Sequence, residues 1–281
     1  MQMKYLLFNP LANSNTCTEI ANDYKQKLGE CDMKSVLGLD QRAFFGELTE
    51  NDEVFYLGGD GTINQLANDV DGVDIKAKIY YVPAGTGNDF FNDVKTSADQ
   101  EYVLLNPYLK NLPTVYVNDV ESKFVNGIGY GLDGMCCQIA DDQIAKGKRK
   151  INYTGIAIKL LLFTYSPKSA KVVIDGVERH YEKVWILPTM KGRFYGGGMM
   201  VAPGQDRLSA DGKVTTVIFR CRSRLKVLMN FSKIFTGEHV NLTGLIDIIE
   251  GHDVLVEYDE PTALQIDGRT VRNVKSYRVK A

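Results

Sequence analysis

Leu57-Gly58-Gly59-Asp60-Gly61-Thr62-Ile63-Asn64 follows an apolar run, Glu53–Leu57, and opens Thr62–Val70, where Ile63, Leu66, Ala67 and Val70 share one helical face. The local reading is strand, glycine turn, helix. Three glycines in four positions permit positive φ and remove side chains where a large anion would approach the backbone. A helix beginning at Thr62 would aim its unbonded N–H groups and its dipole at the same spot. Asp60, inside the turn, could meet Mg²⁺ or order water on a phosphate. The same residues also suit a plain strand-to-helix turn with an Asx cap, and taken alone they do not decide between the two.

Working outward, Lys78–Val82 reads as a strand ended by Pro83-Ala84-Gly85-Thr86-Gly87-Asn88-Asp89, a second glycine turn that opens toward a helical stretch. Lys4–Phe8 is a strand ended by Asn9-Pro10. Helical spacing runs through 18–28, with Gly29 as a stop, and a further helix is expected at Ser97–Leu109. Strands separated by helices imply a parallel, doubly wound sheet. Turns after successive parallel strands lie side by side at the carboxyl edge, so three polar turns would converge there as a nucleotide cradle.

Past about residue 115 the pattern changes to short alternating runs at 169–174, 183–189, 213–219, 253–258, 262–266 and 276–279. Asp175-Gly176, Asp211-Gly212 and Asp267-Gly268 punctuate them as turns, and helical segments interrupt near 135–165 and 223–236. The fold class expected is α/β plus β: a doubly wound α/β nucleotide-binding domain over 1–118 and an antiparallel β-sandwich over 119–281, abutting at a cleft.

Composition narrows the options further. Hydrophobic residues make up 44% of the chain and charged ones 24%, as in an ordinary globular protein. A net charge of -2 gives no footprint for nucleic acid. Cys17, Cys31, Cys136, Cys137 and Cys221 are odd in number and show no CxxC spacing, so free thiols in a reducing compartment are expected. His180, His239 and His252 are scattered, which argues against a histidine metal site. The N-terminal apolar run is too short for a signal peptide, and Ile156–Phe163, interrupted by Lys159, cannot span a bilayer. A cytoplasmic location is therefore expected, with the Asn-x-Ser/Thr matches at Asn152, Asn230 and Asn241 due to chance.

Gly58–Asn64 together with Pro83–Asp89 resembles the signature pair of the diacylglycerol kinase catalytic domain family, which includes sphingosine, ceramide and bacterial lipid kinases. Asn126–Asp133 is similar to its asparagine-glycine segment, and Tyr195–Met199 with Ala202-Pro203 to its GGGM block. Leu208–Lys213 and Gln265–Gly268 resemble its two late Asp-Gly motifs, all in family order. The resemblance implies an ATP-dependent lipid kinase of lipid metabolism with its active site between two domains. By it, ATP would lie against Asn9, Gly58, Gly59, Asp60, Gly61, Thr62, Gly85, Thr86, Asn88 and Asp89, while Asp60 and Asp89 organise Mg²⁺. Asp267 would be the base for the lipid hydroxyl. Leu208 and Lys213, through their backbone carbonyls, and Asp211 would hold a structural magnesium.

Gln65 and Arg269 depart from the family, which carries glutamate at both places, and Asn9–Asn15 lacks the usual glycines, leaving Asn13 and Ser14 as substitute donors. Arg269 could instead hold an acidic headgroup or a phosphate. Two rivals follow: a nicotinamide dinucleotide kinase, which shares the GGDGT turn, and a silent nucleotide- or lipid-binding protein. Gly129–Gly134 fits GxGxxG but lies outside a first βαβ unit, so a dinucleotide site is set aside. Lys146–Lys150 and Arg222–Lys226 adjoin apolar helical segments, a pattern for transient peripheral membrane contact as well as for an ordinary core-facing helix. The sequence leaves a homodimer open.

Overall fold

The protein is described by a computed structural model covering residues 2–148 and 151–281. It divides into Met1–Lys110 and Asn111–Ala281. The break precedes the expected 118/119 boundary because Thr114–Val117 pairs with the last strand of the second unit.

The first unit runs β1 (Lys4–Phe8), α1 (Ala12–Asn15), α2 (Cys17–Leu28), β2 (Asp32–Ser35), α3 (Gln41–Glu47), β3 (Glu53–Gly58), α4 (Asp60–Asp69), β4 (Lys78–Pro83), α5 (Asp89–Val94) and β5 (Val103–Leu104). Sheet order is β2-β1-β3-β4-β5, with the first four parallel and β5 antiparallel. Alternation along β3 sends Phe55 and Leu57 to a core shared with Cys17, Ala21 and Tyr24 of α2. Tyr56 points the other way and donates to Gln41 Oε1 of α3 at 2.8 Å. Helices thus cover both faces, as a doubly wound sheet requires.

Two expectations fail here. Ser97–Leu109 is not a helix: Val103 and Leu104 pair with Tyr81 and Tyr80, and only Asn106–Leu109 makes a 3₁₀ turn. The Asn106 side chain accepts from Ile79 N (2.8 Å) and donates to Ala77 O (2.9 Å), fixing that segment to the sheet edge. The helix after the second glycine turn is instead α5. Helix α4 begins at Asp60, not Thr62, so the aspartate is its first residue.

The second unit holds β6 (Thr114–Val117), β7 (Val120–Lys123), β8 (Gly127–Tyr130), α6 (Leu132–Ala145), α7 (Tyr153–Lys159), a π-helical turn Leu160–Thr164, β9 (Lys168–Ile174), β10 (Val177–Ile186), β11 (Thr189–Met190), β12 (Phe194–Tyr195), β13 (Met199–Met200), β14 (Val214–Arg220), α8 (Arg224–Phe231), α9 (Lys233–Thr236), β15 (Ile246–Gly251), β16 (Asp253–Ile266) and β17 (Arg269–Lys280). The expected runs 253–258 and 262–266 are one long bent strand. Its first half pairs with β9 and its second with β8, closing the antiparallel layers around Val172, Val256, Tyr258, Leu264 and Tyr277. That is the sandwich. Helix α6, the π turn and α8 cover a second core around Trp185 and Phe219.

Candidate functional site

In the first unit the turns after β1, β3 and β4 do meet. Asn9 Nδ2 donates to Thr62 Oγ1 (3.1 Å), tying the β1 turn to α4. Gly58 O accepts from Ala84 N (2.8 Å) and from Tyr81 Oη (2.9 Å). Burial, then the nearby charge of Asp60, pushes the Tyr81 phenol well upward, so it stays a donor.

The glycines serve close approach rather than left-handed backbone. None of Gly58, Gly59, Gly61, Gly85 or Gly87 has positive φ, against the sequence expectation. A Cβ on Gly85 would sit 2.4 Å from Gly59 Cα, and one on Gly58 would sit 2.5 Å from Thr62 Cβ. At Gly61 a Cβ would meet nothing within 4 Å. Gly61 and Thr86 are exposed and Gly59, Asp60 and Gly85 half-buried, so the turns form a bare backbone shelf at the head of α4. The left-handed residue is Asn88 (φ 51), whose Oδ1 accepts from Gly85 N and whose Nδ2 donates to Gly85 O, both 2.9 Å. Its amide braces the loop.

Asp60 binds α5. Its Oδ2 accepts from Asp89 N (3.0 Å) and its Oδ1 from Phe90 N (2.8 Å), so the first turn's aspartate caps the helix that follows the second turn. Asp89 itself is buried. Asn13 lies in the short α1, and the Ser14 side chain lies outside the described residues.

In the second unit, Asp267 (φ 44) and Gly268 (φ 87) form the tight β16–β17 turn. The Asp267 carboxylate is buried and accepts from Val125 N (2.5 Å), Asn126 N (2.8 Å) and Gly127 N (2.9 Å). The residue expected to be a base therefore also pins the segment entering β8.

Residues 4–115 match the model for the diacylglycerol kinase catalytic domain, and residues 126–277 match the YegS C-terminal NAD kinase beta sandwich-like domain. The chain belongs to the family that carries the YegS C-terminal NAD kinase beta sandwich-like domain, and its first unit matches the diacylglycerol kinase catalytic domain. A Staphylococcus carnosus (strain TM300) protein provisionally named a lipid kinase is 27% identical over 269 residues, covering 91% of this chain and 82% of that one. A Staphylococcus aureus (strain JH9) protein with the same provisional name is 28% identical over 222 residues, covering 77% and 70%. A Bacillus anthracis str. Sterne crystal structure, titled provisionally as a diacylglycerol kinase, shares the fold at TM-score 0.69 and 15% identity, covering 99% of this chain and 91% of that one.

In the second unit, two cations that the sequence reading passed over gather at the Asn126 turn. Arg207, buried, donates to Val125 O and to Asn126 Oδ1, both at 2.6 Å. Lys191 is 4% exposed, and its N–H and that of Gly192 both donate to Asn126 O at 2.9 Å. Burial, then the Arg207 charge, draws the Lys191 ammonium below its ordinary value. The signal for Lys191 was there: it ends the apolar run Val184–Met190.

Asp133, quoted only as the end of a motif, is buried in the first turn of α6, and neither carboxylate oxygen makes a hydrogen bond of ordinary geometry. Burial pushes it up to about 6, against the smaller downward pull of neighbours that include Tyr195 and Gln265. The β12–β13 hairpin, the GGGM block, turns through Gly196, Gly197 and Gly198, all at positive φ.

At the expected magnesium set the side chains of Asp211 and Lys213 bind each other. Lys213 Nζ sits 3.0 Å from Asp211 Oδ2, the Lys213 hydrogen bond draws that carboxyl down, and Leu208 is exposed. Among the described residues no three His, Cys, Asp or Glu side chains gather as metal ligands. Gln65 and Arg269 are both exposed. All five cysteines are free.

Proposed function

We propose that the protein is an ATP-dependent lipid kinase that transfers the γ-phosphoryl group to the hydroxyl of diacylglycerol or a similar lipid alcohol. The observation that carries this reading is the Gly59–Gly85 approach at the head of α4. It leaves backbone, not side chains, facing the space where a polyphosphate would lie. Magnesium enters as Mg·ATP, held by the substrate's own phosphates rather than by a protein cage. Phosphoryl transfer needs positioning and charge neutralisation more than covalent help.

In the second unit, Asp267 is the proposed base, orienting the lipid hydroxyl by accepting its hydrogen bond. Lys191 and Arg207, grouped on Asn126 beside it, supply positive charge for a developing phosphate. A lipid acceptor is favoured over a nicotinamide dinucleotide by a groove of about 740 Å³ in the same unit. Met135, Ile139, Ile156 and Leu160 give it apolar walls suited to an acyl chain.

The test is transfer of labelled γ-phosphate from ATP to a lipid extract, with NAD offered in parallel. Wild type is compared with Asp267→Asn and Lys191→Met. Label in a lipid product, lost in Asp267→Asn and reduced in Lys191→Met, is the expected result. Label in NAD moves the protein to the rival kinase. Nucleotide binding without any transfer leaves a binding protein.

A further inference from the structure

Exposed large apolar side chains gather on two segments of the second unit. Phe163 on the π turn is 73% exposed, and Leu225 and Met229, one turn apart on α8, are 66% and 68% exposed. Leu162 and Phe235 add to the set. The segments are joined: Arg224 donates to Leu161 O (3.0 Å) and Tyr165 O (2.6 Å), with its guanidinium 5.3 Å above the Trp185 ring. Leu225 follows that arginine, and Phe163 lies between the two carbonyls it binds, so both belong to one region.

The charge around them is one-sided. The whole chain has 35 acidic and 33 basic residues, yet 151–167 and 221–237 together hold Lys159, Arg222, Arg224, Lys226 and Lys233 and no carboxylate. Glu182 reaches Arg222 from β10 at 3.3 Å. Arg149 and Lys150 of the basic run before α7 lie outside the described residues.

We propose that the π turn Leu160–Thr164 and helix α8 dock on an anionic phospholipid bilayer, a step that deepens the lipid-kinase reading and rests on it. Apolar side chains enter the acyl boundary while flanking cations meet the headgroups. Among the described residues no helix is long and apolar enough to cross a membrane, so this contact is peripheral. A second copy of the chain is a poorer occupant, because a two-fold contact would set five cations against the same five.

Co-sedimentation with vesicles of phosphatidylcholine, with and without phosphatidylglycerol, tests the surface. Wild type should bind the phosphatidylglycerol vesicles, and the Leu225→Glu/Met229→Glu variant should bind them about tenfold more weakly or worse. Phe163→Ser and Lys226→Glu/Lys233→Glu should weaken binding separately, so that one misfolded variant does not decide the matter. Melting curves and labelling of a lipid acceptor in detergent micelles should match wild type throughout. Wild type left in the supernatant with both vesicles overturns the proposal, as does a double variant that binds like wild type. Gel filtration showing a dimer lost in the double variant, without vesicle binding, would give the face to a second copy. Vesicle binding without lipid labelling supports the docking surface and sinks the kinase reading alone.

Discussion

Gly85 has no room for a methyl group, because its Cβ would lie 2.4 Å from Gly59 Cα, and backbone cannot swing aside as a side chain would. Gly85→Ala is expected to cost about 1–3 kcal/mol and to lower the melting temperature with no nucleotide present. Gly61→Ala is the control: its Cβ meets nothing within 4 Å, so the fold should melt as wild type. The added methyl nevertheless lies on the shelf, so protection by Mg·ATP should fall. If Gly61→Ala and wild type are protected alike, the nucleotide lies elsewhere. Asp133 carries a different prediction. Burial pushes its carboxyl up to about 6, above the ordinary aspartate value of 3.8, so the folded state keeps a proton that the unfolded chain gives up. Stability should then fall as pH rises from about 4 to about 6 and stay low above that, by about 3 kcal/mol for this group. Asp133→Asn removes the penalty. Thermal melts should show the variant gaining on wild type at pH 8 and losing that gain near pH 4, and a variant less stable at pH 8 would refute the assignment.

At the scale of elements, α5 depends on a residue outside itself. It has six residues, and Asp60 of α4 takes its first two N–H groups. Hydrogen bonds to a charged acceptor contribute about 1.5–3 kcal/mol each, so Asp60→Ala should lower the melting temperature in the absence of nucleotide, and Asp60→Asn by less. Turnover lost with an unchanged melt would mean that the carboxylate serves only chemistry. This duality explains why the motif was legible and its role was not. Glycine and proline punctuate locally, so both turns, α2, α4 and the Asp175-Gly176 and Asp267-Gly268 hairpins could be read from neighbouring residues. The partners of Asp60 lie 29 and 30 residues away, where no local pattern reaches. Strand β2 escaped for the same reason: Asp32–Ser35 is polar and half-buried, and its identity comes from its register on Tyr5–Phe8. Lys191 and Arg207 became visible only once folding placed both on Asn126.

Over the whole molecule, a formal charge of -2 would slightly repel an anionic bilayer, so any attraction must come from a local imbalance. Five cations without a carboxylate across 151–167 and 221–237 supply it. The rest of the chain carries seven more acidic than basic residues, spread along its length, and beyond a Debye length of about 10 Å at 0.1 M salt they contribute little. Close to the surface the cationic segments dominate, and their attraction is itself screened as salt rises. Binding to phosphatidylglycerol vesicles should therefore weaken steadily with added sodium chloride, leaving a residue due to Phe163, Leu225 and Met229. The Lys226→Glu/Lys233→Glu variant should lose most of that salt dependence. Were wild-type binding instead to strengthen with salt, apolar burial alone would hold the protein to the bilayer, and the cations would be an ordinary solvated edge.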